Sequence, residues 1–154
     1  MQQLLMASTL FEKHKVGALY FGLKGGIMIM KFSKILIVGL GGFLGAALRY
    51  LISSATAKCC SDFPIGTLIV NILGGFIMGF IMEASTSIWP LSANVRIFLT
   101  TGAMGGLTTF STFSYETIAL LSDGEYLMGG LNAGLNLFSA LFACWLGKML
   151  AQLL

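Results

Sequence analysis

The residues Gly102-Ala103-Met104-Gly105-Gly106-Leu107-Thr108-Thr109-Phe110-Ser111-Thr112-Phe113-Ser114-Tyr115-Glu116 decide how this chain is read. They sit inside a long apolar run, from about 95 to 121, yet they are poor helix formers. Paired glycines followed by two threonines carry low helix propensity, so a break is predicted between Gly105 and Thr109. Broken backbone at membrane depth survives only when buried in protein or lining a cavity. A break frees carbonyls, which suit a hard cation, and N–H groups, which suit an anion. After it, Phe110 and Phe113 lie three apart and share a helix face. Ser111, Thr112 and Ser114 supply hydroxyl donors. The competing reading of the same residues is a kinked helix with ordinary aromatic packing.

Working outward, three more apolar runs cover about 33–54, 64–82 and 126–154. Each approaches the roughly 20 residues that span a bilayer as a helix. The predicted fold is therefore an all-α integral membrane protein of four transmembrane helices, the third one broken. Short polar links at 55–63, 83–94 and 122–125 leave no room for a soluble domain. Pro64 suits the first turn of a helix. Composition agrees, with 56% hydrophobic and only 10% charged residues, where soluble domains carry about 25% charged. Residues 31–154 make up this four-helix domain. Residues 1–30 mix Glu12, Lys13, His14 and Lys15 with short apolar pieces and lack a signal-peptide core. They read as an early start or a poorly ordered extension.

Each run holds glycines four apart: Gly41 and Gly45, Gly75 and Gly79, Gly102 and Gly106, Gly130 and Gly134. Such pairs let helix backbones approach closely in lipid and predict a tightly packed bundle, completed by helices of another subunit. With four spans, Lys31, Lys34, Arg96 and Lys148 share one side of the membrane. Lys58 lies on the other, with Arg49 near it. The positive-inside rule then places the N-terminus inside, in a bacterial plasma membrane. No basic stripe of the kind nucleic-acid binding needs is present.

Polar groups deep in a membrane are costly and often functional. Asn71, near the middle of the second run, offers two N–H donors and one acceptor, for a pore or for a helix-to-helix bond. Asn132 and Asn136 are four apart on one face of the last run, and they either line a path or bond a neighbouring helix. Arg49 is a candidate for snorkelling to the interface, and either Arg49 or Glu116 for a structural ion pair. Cys59, Cys60 and Cys144 lack metal-ligand spacing and read as unpaired thiols.

These residues also carry a family resemblance. Gly41-Gly42-Phe43-Leu44-Gly45-Ala46-Ala47-Leu48-Arg49-Tyr50 resembles the first-helix signature of Fluc (CrcB-type) fluoride channels. Gly66-Thr67-Leu68-Ile69-Val70-Asn71-Ile72-Leu73-Gly74 resembles their second-helix motif, and 105–114 followed by Glu116 their third. The ending Ala143-Cys144-Trp145-Leu146-Gly147 is similar to their fourth. The resemblance covers about 30–154 and implies an antiparallel, dual-topology homodimer in lipid, with a fluoride-selective pore for passive export. It implies a structural sodium ion, not transported, on the backbone carbonyls of Gly105 and Thr108. It maps the fluoride pore onto Asn71, Phe110, Phe113, Ser111, Thr112 and Asn136. Asn136 stands where many relatives have serine, and Asn132 where tyrosine is frequent. A paired sister subunit is the alternative partner.

Rival functions fit less well. A small proton-coupled multidrug-type exporter would place a carboxylate in the middle of the first span, which holds none. A membrane enzyme would need acid–base groups, and the spans hold no histidine and no close carboxylate pair. A purely structural subunit would account for the glycines but not for Asn71 with Phe110 and Phe113. No nucleotide-binding motif of the Walker type supplies energy.

Overall fold

The computed structural model describes residues 31–57 and 63–154. The extension 1–30 and the Cys59–Cys60 pair lie outside the described residues. The chain divides into two units, Met1–Leu36 and Ile37–Leu154. Of the first unit only 31–36 are described, as the opening residues of a helix; all packing below concerns the second.

Among the described residues all regular structure is helical. Three helices are long and apolar enough to cross a membrane: α1 (Lys31–Ala57), α2 (Ile65–Ser87) and the last helix, Tyr126–Gln152. At about 1.5 Å per residue, even α2 reaches roughly 34 Å, more than the hydrocarbon core. The run between them is broken, as its glycines and threonines predict. It starts as α3 (Ala93–Ile97), capped by the Ser92 hydroxyl, which accepts from the Val95 N–H at 3.4 Å. It continues as a π-helical stretch, Phe98–Met104, and then α4 (Gly105–Leu107). Thr108 and Thr109 are both extended, and α5 (Phe110–Ser122) follows. The break thus falls at the end of the predicted window, with Gly105 still helical. Gly124, at φ 83°, makes the left-handed turn into α6 (Tyr126–Gln152), a conformation that costs glycine nothing.

Glycines set the closest approaches. A Cβ on Gly79 would collide with the Cys144 carbonyl, and one on Gly147 with the Phe76 carbonyl. α2 and α6 therefore touch backbone to backbone. The same device brings α1 onto the broken run. Gly45 lies against the Ala103 carbonyl, and Gly106 against the Gly42 carbonyl. Gly130 and Gly134 behave otherwise: nothing stands within 4 Å of a Cβ built on either. α6 meets α2 through Gly147 instead. The buried apolar core is small, with Val70, Met104 and Leu107 at its centre. Phe43, Tyr50, Phe110 and Phe138 are among many large side chains left exposed, which suits lipid or a further protein chain.

Candidate functional site

The site is built around the break. A continuous helix would send the Thr109 N–H back to the Gly105 carbonyl. Here it goes to the Asn71 Oδ1 at 2.9 Å. The Thr109 hydroxyl caps α5 by accepting from the Thr112 N–H at 3.2 Å, the job for which threonine at an N-cap is favoured. The Thr108 carbonyl, freed in the same way, accepts from Arg49 Nη1 at 3.4 Å. Side chains from α1 and α2 thus replace backbone bonds lost at the break. Both partners were invisible locally, because they lie 59 and 38 residues away in sequence.

Asn71 also donates. Its Nδ2 reaches Asn136 Oδ1 at 2.8 Å and, at a longer 3.4 Å, the Thr109 carbonyl. Asn136 Nδ2 donates to Asn132 Oδ1 at 2.8 Å, and Asn132 Nδ2 to the Thr117 hydroxyl at 2.9 Å. Asn132 and Asn136 are buried, as amides bonded on both sides can be. This polar line joins α2, α6 and α5.

Asn71, Thr108, Thr109, Phe110, Phe113 and Asn136 face one cavity of about 650 Å³, whose remaining wall is apolar and includes Met78 and Leu141. Phe110 and Phe113 meet edge to face, with centroids 5.3 Å apart and planes at 63°. Phe110 is 77% exposed. The structure thus brings Asn71, Phe110, Phe113 and Asn136 together. Ser111 and Thr112 do not line this cavity; both are exposed, and their hydroxyls lie 3.3 and 3.0 Å from that of Thr109. Gly105 is exposed and Thr108 half-buried.

A second hollow, about 440 Å³, opens between α1, α2 and α5 and is lined by Ser53, Thr56, Thr67, Tyr115, Glu116 and Asp123, among others. Thr67 donates to Glu116 Oε1 at 2.8 Å, while Glu116 Oε2 is buried without a partner. The sequence alone names no partner for Glu116 or Arg49. One signal for Thr67 existed: it lies four residues before Asn71, on the same face of α2. Elsewhere, Cys144 is a free thiol. Among the described residues no three His, Cys, Asp or Glu side chains could jointly hold a metal, so a cation here would have to rely on other oxygens.

Comparison with known proteins now places the chain. Residues 36–148 match the family described as CrcB-like protein, Camphor Resistance (CrcB). The chain belongs to the CrcB family. Among its CrcB relatives, a protein of Clostridium novyi (strain NT) is 56% identical over 119 residues, covering 77% of this chain and 93% of the relative. One from Clostridium perfringens (strain 13 / Type A) is 55% identical over 127 residues, 82% of this chain and 99% of the relative. One from Methanococcus maripaludis is 49% identical over 116 residues, 75% and 93%. Each is named "Fluoride-specific ion channel FluC". With its long apolar helices, this CrcB member is a multi-pass membrane protein.

Proposed function

We propose that this chain is the subunit of a fluoride-selective channel, which lowers cytoplasmic fluoride by passive export through a cell membrane. The observation that carries the proposal is the cavity at the break, where Asn71, freed backbone and a Phe110–Phe113 edge pair meet. It occurs in a chain that is 56% identical, over 119 residues, to a protein named for fluoride. Fluoride is small and strongly hydrated, so a pore must replace its water with donors. Asn71 Nδ2 supplies N–H groups, and the first turn of α5 presents amides without an intrahelical acceptor. Ser111 and Thr112 add hydroxyls at that same helix end. Aromatic edges are positive, so Phe110 and Phe113 offer weak stabilisation that lets the ion leave. Conduction requires that balance. An inside-negative potential drives the anion outward by about 2.3 kcal/mol per 100 mV. The relatives are named as channels rather than enzymes, and α1 carries no carboxylate for a proton-coupled exporter.

The broken run counts, in this reading, as the third of four crossings, because α3, the π-helical stretch, α4 and α5 together match a spanning length. Two subunits insert antiparallel. The exposure of Phe110 and Gly105 supports such a partner, since one subunit alone leaves them uncovered. A sodium ion fits the carbonyls of Gly105 and Thr108. The helical donor to the first has turned to Asn71, and the second has only the long bond from Arg49. Sodium would supply charge to hold freed carbonyls of both subunits together as a structural staple.

Purified protein in liposomes is expected to release fluoride and retain chloride. Equal efflux of the two ions overturns the proposal.

A further inference from the structure

The polar line running from the break into α6 has ends that can be oriented in only one way. At one end the Thr109 N–H can only donate, and Asn71 Oδ1 accepts it at 2.9 Å. At the other end, the Thr117 hydroxyl gives its one proton to the Phe113 carbonyl at 2.8 Å. Its oxygen must therefore accept, and it accepts from Asn132 Nδ2 at 2.9 Å. Each carboxamide between has one accepting and one donating end. With the Asn132 nitrogen turned to Thr117, its oxygen must face Asn136 Nδ2, as it does at 2.8 Å. Asn136 Nδ2 also donates to the Asn132 carbonyl at 3.1 Å, so both its protons are committed. Asn136 Oδ1 is thereby left to accept from Asn71 Nδ2 at 2.8 Å. Reversing any one amide would set like ends face to face, at positions where Asn132 is 0% and Asn136 4% exposed. Unpaired polar groups buried in this way are costly.

We infer that Asn132 and Thr117 are positioning residues for Asn71. They fix Asn136 as an acceptor, so Asn136 offers no N–H to an anion, and the amide of Asn71 is the carboxamide donor presented at the cavity. One Asn71 proton is held by Asn136. The other meets only the Thr109 carbonyl at 3.4 Å, a long contact that a fluoride ion displaces. Without the relay, Asn136 is free to flip and to set its N–H groups against those of Asn71. Thr109 still holds Asn71 Oδ1, but the anion-facing Nδ2 loses the acceptor that fixes its position, and preorganised donors lose their advantage when they must reorient. This inference rests on the fluoride-channel reading for its flux readout and on the hydrogen-bond polarity for the rest.

The test uses full-length protein with Thr117→Val, Thr117→Ser, Asn132→Leu and the double variant Thr117→Val/Asn132→Leu. Valine keeps the shape of threonine and deletes the acceptor, while serine keeps the acceptor. Thr117→Val and Asn132→Leu are each expected to slow fluoride efflux about tenfold, with Thr117→Ser within about twofold of the parent. The double variant should be no slower than the slower single one, because both act through one relay. In protein labelled with 15N on asparagine side chains, the Asn71 amide resonance should shift in Thr117→Val and return in Thr117→Ser. Parental efflux in Thr117→Val, additive losses in the double variant, or an Asn71 resonance indifferent to Thr117 overturns the inference. If Thr117→Val does not assemble, Asn132→Leu carries the same comparison. If the parent itself passes no fluoride, the channel reading fails, and the resonance still decides the relay.

Discussion

The α2–α6 pair and the α1–broken-run pair are built with one device and end differently. In both, glycines bring backbone against backbone: Gly79 and Gly147 in the first, Gly45 and Gly106 in the second. α2 and α6 remain continuous helices of 23 and 27 residues. The partner of α1 widens into a π-helical stretch and then opens at Thr108–Thr109. Close packing alone, then, does not break a helix. The break persists because Asn71, Arg49 and the Thr109 hydroxyl take over the bonds a helix would make. In lipid those groups have no water to turn to, and each left unpaired costs several kcal/mol. One contact is scaffold, and the other is a machine part whose backbone is held by side chains.

The sharpest way to break this comparison is to add a side chain to the scaffold. A Cβ at Gly147 would strike the Phe76 carbonyl and lie 3.0 Å from the Phe80 nitrogen, both backbone atoms that cannot swing aside. Gly147→Val is expected to cost about 4 kcal/mol or more, read as loss of monodisperse protein in size exclusion. Gly130→Val, with open space around it, should leave the subunit fold intact; equal damage from both would show that the backbone contact is not the scaffold. Asn71→Leu comes next. It strands the Thr109 N–H and Asn136 Oδ1, each worth about 1–3 kcal/mol when unsatisfied. A fall in fluoride efflux of about 100-fold is expected, and efflux near that of the parent would remove Asn71 from the path. Phe110→Ile and Phe113→Ile keep bulk and delete the positive edge. A loss of about tenfold in efflux, with an unchanged elution volume in size exclusion, is expected; parental efflux in both would reduce the rings to packing.

How far the sequence reaches differs between the same two regions. Hydropathy marks α1, α2 and α6, because a span needs only length and apolarity. The weakness at Gly105–Thr109 is also legible, since propensity is local. Its placement at Thr108–Thr109 is not, because it is decided by Asn71, whose acceptor claims the Thr109 N–H from 38 residues away. The π-helical stretch Phe98–Met104 leaves no pattern of its own either. Gly130 and Gly134 repeat the spacing of the other pairs yet face open space, and Gly147 makes the contact instead. Spacing says that two glycines share a helix face, and only packing says what that face meets. In the site, Asn132 and Asn136 are legible as one face of α6. The direction of their amides is not, because it is set by Thr117 and Thr109 on other elements.

The smallest expected effect tests how the break is neutralised. Arg49 Nη1 and the proposed sodium ion address the same Thr108 carbonyl. The arginine bond is long, 3.4 Å, so Arg49→Gln should change stability at saturating sodium by about 1 kcal/mol or less. Its effect on sodium dependence should be larger. Two unit charges about 5 Å apart repel by roughly 3 kcal/mol at an effective dielectric constant near 20. Arginine therefore weakens the ion's hold on the carbonyl it shares. Glutamine keeps an N–H donor and removes the charge, so sodium should bind Arg49→Gln more tightly, while Arg49→Lys should stay near the parent. The measurement is the melting temperature of the purified protein, titrated with sodium against a large organic cation at constant ionic strength. Sodium that binds the folded protein and not the unfolded chain would raise that temperature by mass action. Arg49 is only half-buried, so screening leaves about half of that repulsion, and a half-maximal concentration about tenfold lower in Arg49→Gln is expected. The same sodium curve in all three proteins would remove Thr108 from the ion's coordination. A melting temperature indifferent to sodium in every variant would leave Arg49, Asn71 and the Thr109 hydroxyl as the groups that hold the break open.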